Sequence, residues 1–273
     1  GRNDFKVVLL GNILMQENNG ERTATADRAE YTRRFLSLTM KQEDVVFCGN
    51  VTIREGDRYG SGELLEYHKQ VEVIGGGTTE VGFAREFAVI TGNAHLNDDQ
   101  MDGQADIIEY YPDDDPTEER KHDHVVFIGN VRLEDPENVA MAHRVDYDVE
   151  EFYIDEETMI AKNELLRLVG NAIIIQESTV SYSRATAMVI ELVNQMETEL
   201  AENGPRELEY AVLYNNARMY DHAEEQKIIR GQPAYLEIED REINAGLLIA
   251  VRTNTERPYY NDYIEARPLI IHP

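Results

Sequence analysis

Apolar and polar residues alternate along this chain in runs that centre on a Gly-Asn pair. Count from the glycine as zero. At −4 stand Val7, Val45, Ala88, Val125, Leu166 and Ala211. At −2 stand Leu9, Phe47, Ile90, Phe127, Leu168 and Leu213. At +2 stand Ile13, Val51, Ala94, Val131, Ala172 and Ala217, and at +4 Met15, Ile53, Leu96, Leu133, Ile174 and Met219. All 24 positions are apolar. The odd positions are mixed: +3 is Leu14, Thr52, His95, Arg132, Ile173 and Arg218. Alternate residues of a strand share a face, so each run predicts a β-strand with one apolar face.

The glycines are Gly11, Gly49, Gly92, Gly129 and Gly170, spaced by 38, 43, 37 and 41 residues, with a degenerate sixth copy at Asn215-Asn216. A second element follows each: a small residue, often an acid, then an apolar stretch ending in an aromatic. It reads Ala26-Asp27-Arg28-Ala29-Glu30-Tyr31, then ends at Tyr67, Tyr110 and Tyr147 in the next copies. These tyrosines lie 20, 18, 18 and 18 residues after their glycines, and in the fifth copy an offset of 18 lands on Met188. Two motifs at a fixed distance imply two strands joined by a turn of nearly fixed length, so the repeat unit is a strand pair of about 40 residues.

Glycine in a strand interior marks a bulge, a bend or a close backbone approach, and Asn tolerates the left-handed region. The alternation carries through the Gly without a phase change, so the pair is read as a recurring bulge that bends every strand at one level, not as a hairpin turn. Each repeated Tyr is read as filling one structural slot per copy. Residues 194–204 fit a short helix or a polar loop, and 112–124 a solvated loop. Residues 231–263 look like a last, divergent copy whose Pro233 suits an edge strand. Gly75-Gly76-Gly77 reads as a turn. With no linker in the series, the expectation is one all-β domain over 1–273, a folded antiparallel sheet with a divergent capping or edge region from about 190.

Charge narrows the function. There are 53 acidic against 26 basic residues, a net charge of −27. Such a chain repels phosphate backbones, so no nucleic acid is expected as a partner. Cys48 is the only cysteine. That excludes an intrachain disulfide and a four-thiolate metal site, and at −1 it points away from the apolar face. No apolar run is long enough to span a bilayer as a helix, and the first residues do not form a signal peptide. Catalytic motifs are lacking: there is no nucleophile elbow, no phosphate-cradling loop and no zinc-protease helix. His122-Asp123-His124 beside Asp113, Asp114 and Asp115 is better read as an acidic surface loop than as a cation site. The chain is therefore expected to be no enzyme and to carry no cofactor or metal.

Five in-phase copies of Gly-Asn-apolar followed by Ala-Asp-x-apolar-x-Tyr resemble the LptA/OstA family. The nearest segment is Phe87–Leu96 with Gly103–Tyr110. The resemblance covers residues 5 to 190 well and the rest loosely. It implies a twisted β-jellyroll in the periplasm, taking part in outer-membrane biogenesis by lipopolysaccharide transport. Acyl chains would lie in an apolar groove lined by Leu9, Ile13, Phe47, Val51, Ile53, Ile90, Leu96, Phe127, Val131, Leu133, Leu168 and Ile174. It also implies edge strands that pair with other Lpt-type jellyrolls or with a second copy, head to tail. The alternative is a β-repeat scaffold for protein–protein contacts, with a dry, closed core and no lipid.

Overall fold

The computed structural model describes residues 4–17, 22–56, 58–74, 79–97, 101–113, 120–136, 138–155, 158–177, 181–197, 207–229, 232–251 and 263–267, with side chains described in parts of these as far as Tyr220. Thirteen strands form one antiparallel sheet in which every neighbour in space is the neighbour in sequence. They are β1 (Phe5–Glu17), β2 (Arg22–Phe35), β3 (Met40–Glu55), β4 (Arg58–Ile74), β5 (Thr79–Asn97), β6 (Asp102–Asp113) and β7 (Arg120–Glu134). Then follow β8 (Asn138–Asp155), β9 (Thr158–Glu177), β10 (Ser181–Glu197), β11 (Glu207–Ile229), β12 (Gln232–Val251) and β13 (Tyr263–Arg267). Because β1 does not pair with β13, the sheet is unclosed. The all-β antiparallel sheet expected from the alternation forms, and it is consistent with the jellyroll that the resemblance implies.

The Gly-Asn pairs lie inside the odd strands and are bulges. In β3–β4, Cys48 faces Leu64 and Val51 faces Gly62, so Gly49 and Asn50 oppose Glu63 alone. The same two-against-one step recurs between Thr91 and Ala94 and between Ile128 and Val131. Both residues of each internal pair have positive φ: Gly49 +77° and Asn50 +47°, Gly129 +76° and Asn130 +49°. Asn215 and Asn216 repeat this at +58° and +56°. Glycine and asparagine are the residues that enter this region at low cost, which is why the pair recurs.

The bulges fold the sheet onto itself. Gly103 pairs with Leu133, while Phe127 lies six residues away along β7. On a straight strand that separation is about 20 Å. Yet a methyl group on Gly103 would lie 2.6 Å from Phe127 Cε1. Gly60 likewise pairs with Leu96, but a methyl group on it would lie 3.3 Å from Ile90 Cδ1. Each strand therefore doubles back at its bulge, and the −2 and −4 side chains of one half-sheet meet the +2 and +4 side chains of the other.

Three expectations need correction. The fifth copy's aromatic slot is held by Leu192, which pairs with Leu166 and Ala211 as Tyr147 pairs with Val125 and Leu166. Met188 is instead an exposed residue opposite the Asn215-Asn216 bulge, because β9 and β10 each run two residues further past the bulge than β7 and β8 before their turn, which adds four residues to the offset. Residues 112, 113 and 120–124 are strand, not loop: Pro112 and Asp113 pair with Asp123 and His122. Residues 194–197 are strand as well, while 198–204 and the glycines at 75–77 lie outside the described residues. Pro233 stands near the start of β12, beside a register shift, and β13 covers only Leu247–Val251 of that strand.

Candidate functional site

The folded sheet encloses one apolar interior. Odd strands contribute large side chains on both sides of the bulge. Even strands contribute small ones on one side, Gly60, Gly62, Gly103, Ala105, Ala140 and Ala142, and larger ones beyond, Leu65, Ile108 and Val145. Large faces small across each half-sheet: Leu133 lies between Gly103 and Ala140, and Ile53 between Ala24 and Gly60. The small residues make room for Ile90 and Phe127 to cross the fold.

Seven of the twelve sequence-predicted lining residues belong to one buried cluster: Phe47, Val51, Ile90, Phe127, Val131, Leu133 and Leu168. Ile13, Ile53, Leu96 and Ile174 pack half-buried against it. Leu9 stands apart at 45% exposure, with its edge-strand neighbours Val7 and Met15 also exposed. Over β7–β10 the interior is packed shut: Phe127, Val145, Leu168 and Ile190 have no accessible surface. At the β1 end the inner wall is open.

Sequence reasoning missed the even-strand half of this interior. Its inward residues run Ala26 then Ala29, Gly62 then Leu65, Ala105 then Ile108, Ala142 then Val145, and Ala187 then Ile190. The step of three breaks the period of two, because each even strand passes two opposing bulges with one residue fewer. The repeated Ala-Asp-x-apolar spacing carries that signal, legible once the fold level is known.

The acid of that motif caps the next bulge. Asn50 Nδ2 donates to Asp27 Oδ2 at 3.0 Å, and Asn130 Nδ2 donates to Asp106 Oδ2 at 3.0 Å. Asp27, Glu63, Asp106 and His143 occupy the space beside Gly49, Gly92, Gly129 and Gly170. A larger residue at any of these glycines would collide with its cap.

One rim of the interior is polar and equally periodic. The hydroxyls of Tyr31, Tyr67, Tyr110 and Tyr147 donate to Glu43, Glu86, Asp123 and Glu164 at 2.7, 2.7, 3.0 and 3.0 Å. Each acceptor stands at −6 of the following copy, so the tyrosines do fill one recurring slot. Lys41 and Lys162, both at −8, pair with Glu43 and Glu164 at 3.0 and 3.2 Å. Buried charges persist only when paired in this way. The odd strands of the rim carry four acids against these two lysines, so they share the acidic excess of the chain.

The outer face carries a cross-strand ladder, Asp44–His68–Phe87–Tyr111–His124–Asp148, with His68–Phe87 centroids at 4.5 Å and Phe87–Tyr111 at 5.9 Å. Ring faces are spent on neighbouring rings. Burial opposes ionisation of Asp44, but hydrogen bonds from Gln42, Arg34 and His68 outweigh it and hold the carboxyl below its ordinary value. Asp102 is lowered likewise, against burial, by His95, Asn97 and Gln104. His122 and His124 both turn outward to Asp148, at 3.4 and 2.6 Å, while Asp123 turns inward to Tyr110. Among the described residues no group of three or more His, Cys, Asp or Glu side chains is arranged to hold a metal.

Comparison with curated proteins and with solved structures returned no match. A family model does match, over residues 34–153, described as "LptA/(LptD N-terminal domain) LPS transport protein". The matched span runs from the end of β2 to the end of β8 and contains three internal bulges, at Gly49, Gly92 and Gly129, and the acid caps Glu63 and Asp106 of the last two. Over that segment, which is less than half of the chain, the protein is similar to the LptA/LptD N-terminal-domain family of lipopolysaccharide transport proteins.

Proposed function

We propose that this chain is a non-enzymatic carrier or bridge for lipopolysaccharide in the bacterial periplasm, and that the described strands act as one jellyroll domain. Acyl chains lie between the two half-sheets, against the odd-strand residues from Ile13 to Ile174, and the sugars stay in solvent. The observation that carries this reading is the apolar interior that continues from strand to strand and opens at β1, where Val7, Leu9 and Met15 present an uncovered inner wall. Lipid enters there and advances as the half-sheets part. Edge strands pair with similar jellyrolls by main-chain hydrogen bonds, the strand-addition mode.

The packed interior of β7–β10 favours the second reading, a scaffold with a dry core. Photo-crosslinking separates the two. A photoreactive residue at inward Leu9, Phe47 or Phe127 forms lipopolysaccharide adducts if the chain is a carrier, and one at outward Arg132 does not. Protein–protein adducts with no lipid adduct at any inward position would establish the scaffold instead.

A further inference from the structure

Arg33 is a cation on the inner face that pairs with no carboxylate among the described residues. It lies on β2, which has a strand on each side, and stands opposite Phe5 of β1 and Glu43 of β3. The cations around it are paired: Lys6 and Arg28 with Glu30, and Arg34 with Asp44. Glu43, directly across from Arg33, is taken by the Tyr31 hydroxyl at 2.7 Å and by Lys41 Nζ at 3.0 Å. The Arg33 guanidinium lies instead over the Phe5 ring, 4.2 Å from its centroid, and 5.7 Å from that of Phe35. Its Nε is buried and has no hydrogen-bond partner, while the residue as a whole is only half-buried. A buried donor left unsatisfied is costly. Stacking on an aromatic face leaves the in-plane N–H donors of a guanidinium free for an acceptor.

The fold does not ask for a cation at this place. The residues two positions after the rim tyrosines are Arg33, Lys69, Pro112 and Val149, and they face Glu43, Glu86, Asp123 and Glu164 in the same register. Proline and valine serve in the later copies, so the charge at the β2–β4 end is surplus to the repeat. We infer that Arg33 receives the phosphate group of a lipid at the mouth of the interior, with the acyl chains running from there towards Val45 and Phe47. This rests on the carrier reading above and adds to it the part of the lipid that the chain selects. Phosphate oxygens match two donors of one guanidinium, and the flanking rings hold that guanidinium in place before the ligand arrives. Lys69 stands two strand spacings away, roughly 10 Å, and adds positive potential on the same inner row. In a chain of net charge −27, an anionic headgroup is held where cations gather locally, and Arg33, Lys41 and Lys69 gather around the single carboxylate of Glu43.

Half-saturation of crosslinking from a photoreactive residue at Phe47 compares phosphorylated lipid A with the same lipid stripped of its phosphates, both in detergent. The expected result is about tenfold tighter binding of the phosphorylated lipid, as for one charge-assisted hydrogen bond, and loss of that preference in Arg33→Met. Methionine keeps the stem packed against Phe5 and Phe35 and removes the unsatisfied donor, so the urea midpoint of this variant should hold or rise. Arg34→Gln, on the outer face, should keep the preference. A preference that persists in Arg33→Met would overturn the inference, and a lower urea midpoint beside it would make Arg33 a structural residue. Equal binding of the two lipids by the unaltered chain would overturn the inference and leave the carrier standing, whereas no adduct with either lipid would overturn both. Displacement by inorganic phosphate at the concentrations where the lipid binds would overturn the lipid assignment and give the site to free phosphate.

Discussion

Folding of the sheet at its bulges predicts an energetic coupling between Gly103 and Phe127, residues that a flat sheet would hold far apart. Phe127 has no accessible surface. Its truncation, Phe127→Ala, is expected to cost about 3–5 kcal/mol, as for other buried aromatics. Gly103→Ala places a methyl group 2.6 Å from Phe127 Cε1 and 3.2 Å from Leu133 Cδ2. Overpacking of this kind costs about 1–3 kcal/mol, offset by up to about 1 kcal/mol from the reduced freedom of the unfolded chain. In the double variant the new methyl group occupies part of the cavity left by the ring, so its clash disappears. The two effects should fall short of additivity by at least about 1 kcal/mol. Urea unfolding followed by far-ultraviolet circular dichroism measures all four corners of the cycle, and unchanged m-values would show that the reference state is the same. Additivity within about 0.3 kcal/mol would mean that the side chains do not meet, and would refute the folded sheet.

Gly129→Ala should destabilise by about 2 kcal/mol or more, through positive φ and collision with Asp106, while Asn130→Gly should be nearly neutral; thermal melts compare them. Tyr147→Phe removes a donor to Glu164, which is 4% exposed, and should cost about 1 kcal/mol in urea unfolding. The Asp44 carboxyl is lowered in the folded chain, so its contribution is complete above the unfolded carboxylate value near 3.9 and is lost as pH falls through the lower folded value. Asp44→Asn should accordingly flatten the loss of stability between about pH 5 and pH 3, read from urea midpoints across that range. An unchanged pH profile would show that the hydrogen bonds from Gln42, Arg34 and His68 do not favour the ionised form.

The odd strands were legible in the sequence because their inward residues keep a period of two straight through Gly-Asn. Phe47, Phe127 and Leu168 could be assigned to the interior from that pattern alone. The even strands were not, because Ala105 and Ile108 face the same way three residues apart, and only the register across a bulge explains the slip. Offsets counted along the chain misplaced the fifth copy: strand length beyond the bulge varies, so Leu192 holds the slot by pairing and Met188 does not. The acid of Ala-Asp was visible as a recurring residue type, but its partner lies 22 to 29 residues onward in the next copy, a distance set by hairpin length. Closure of the interior at β7–β10 and its exposure at β1 could not be read from the pattern, since inward positions look alike in the middle of a sheet and at its edge.

The most direct test of a lipid path between the half-sheets is the distance across them. Spin labels at Arg132 and Leu165, outward residues on the two sides of the bulges in β7 and β9, can be placed in a Cys48→Ser background and measured by pulsed electron paramagnetic resonance. The interior between them is closed in this structure, so acyl chains can enter only if the halves separate. Lipopolysaccharide should shift the distance distribution to longer values, and the lipid-free sugar portion should leave it unchanged. A distribution that stays fixed at saturating lipopolysaccharide would contradict the account and leave a packed scaffold in its place.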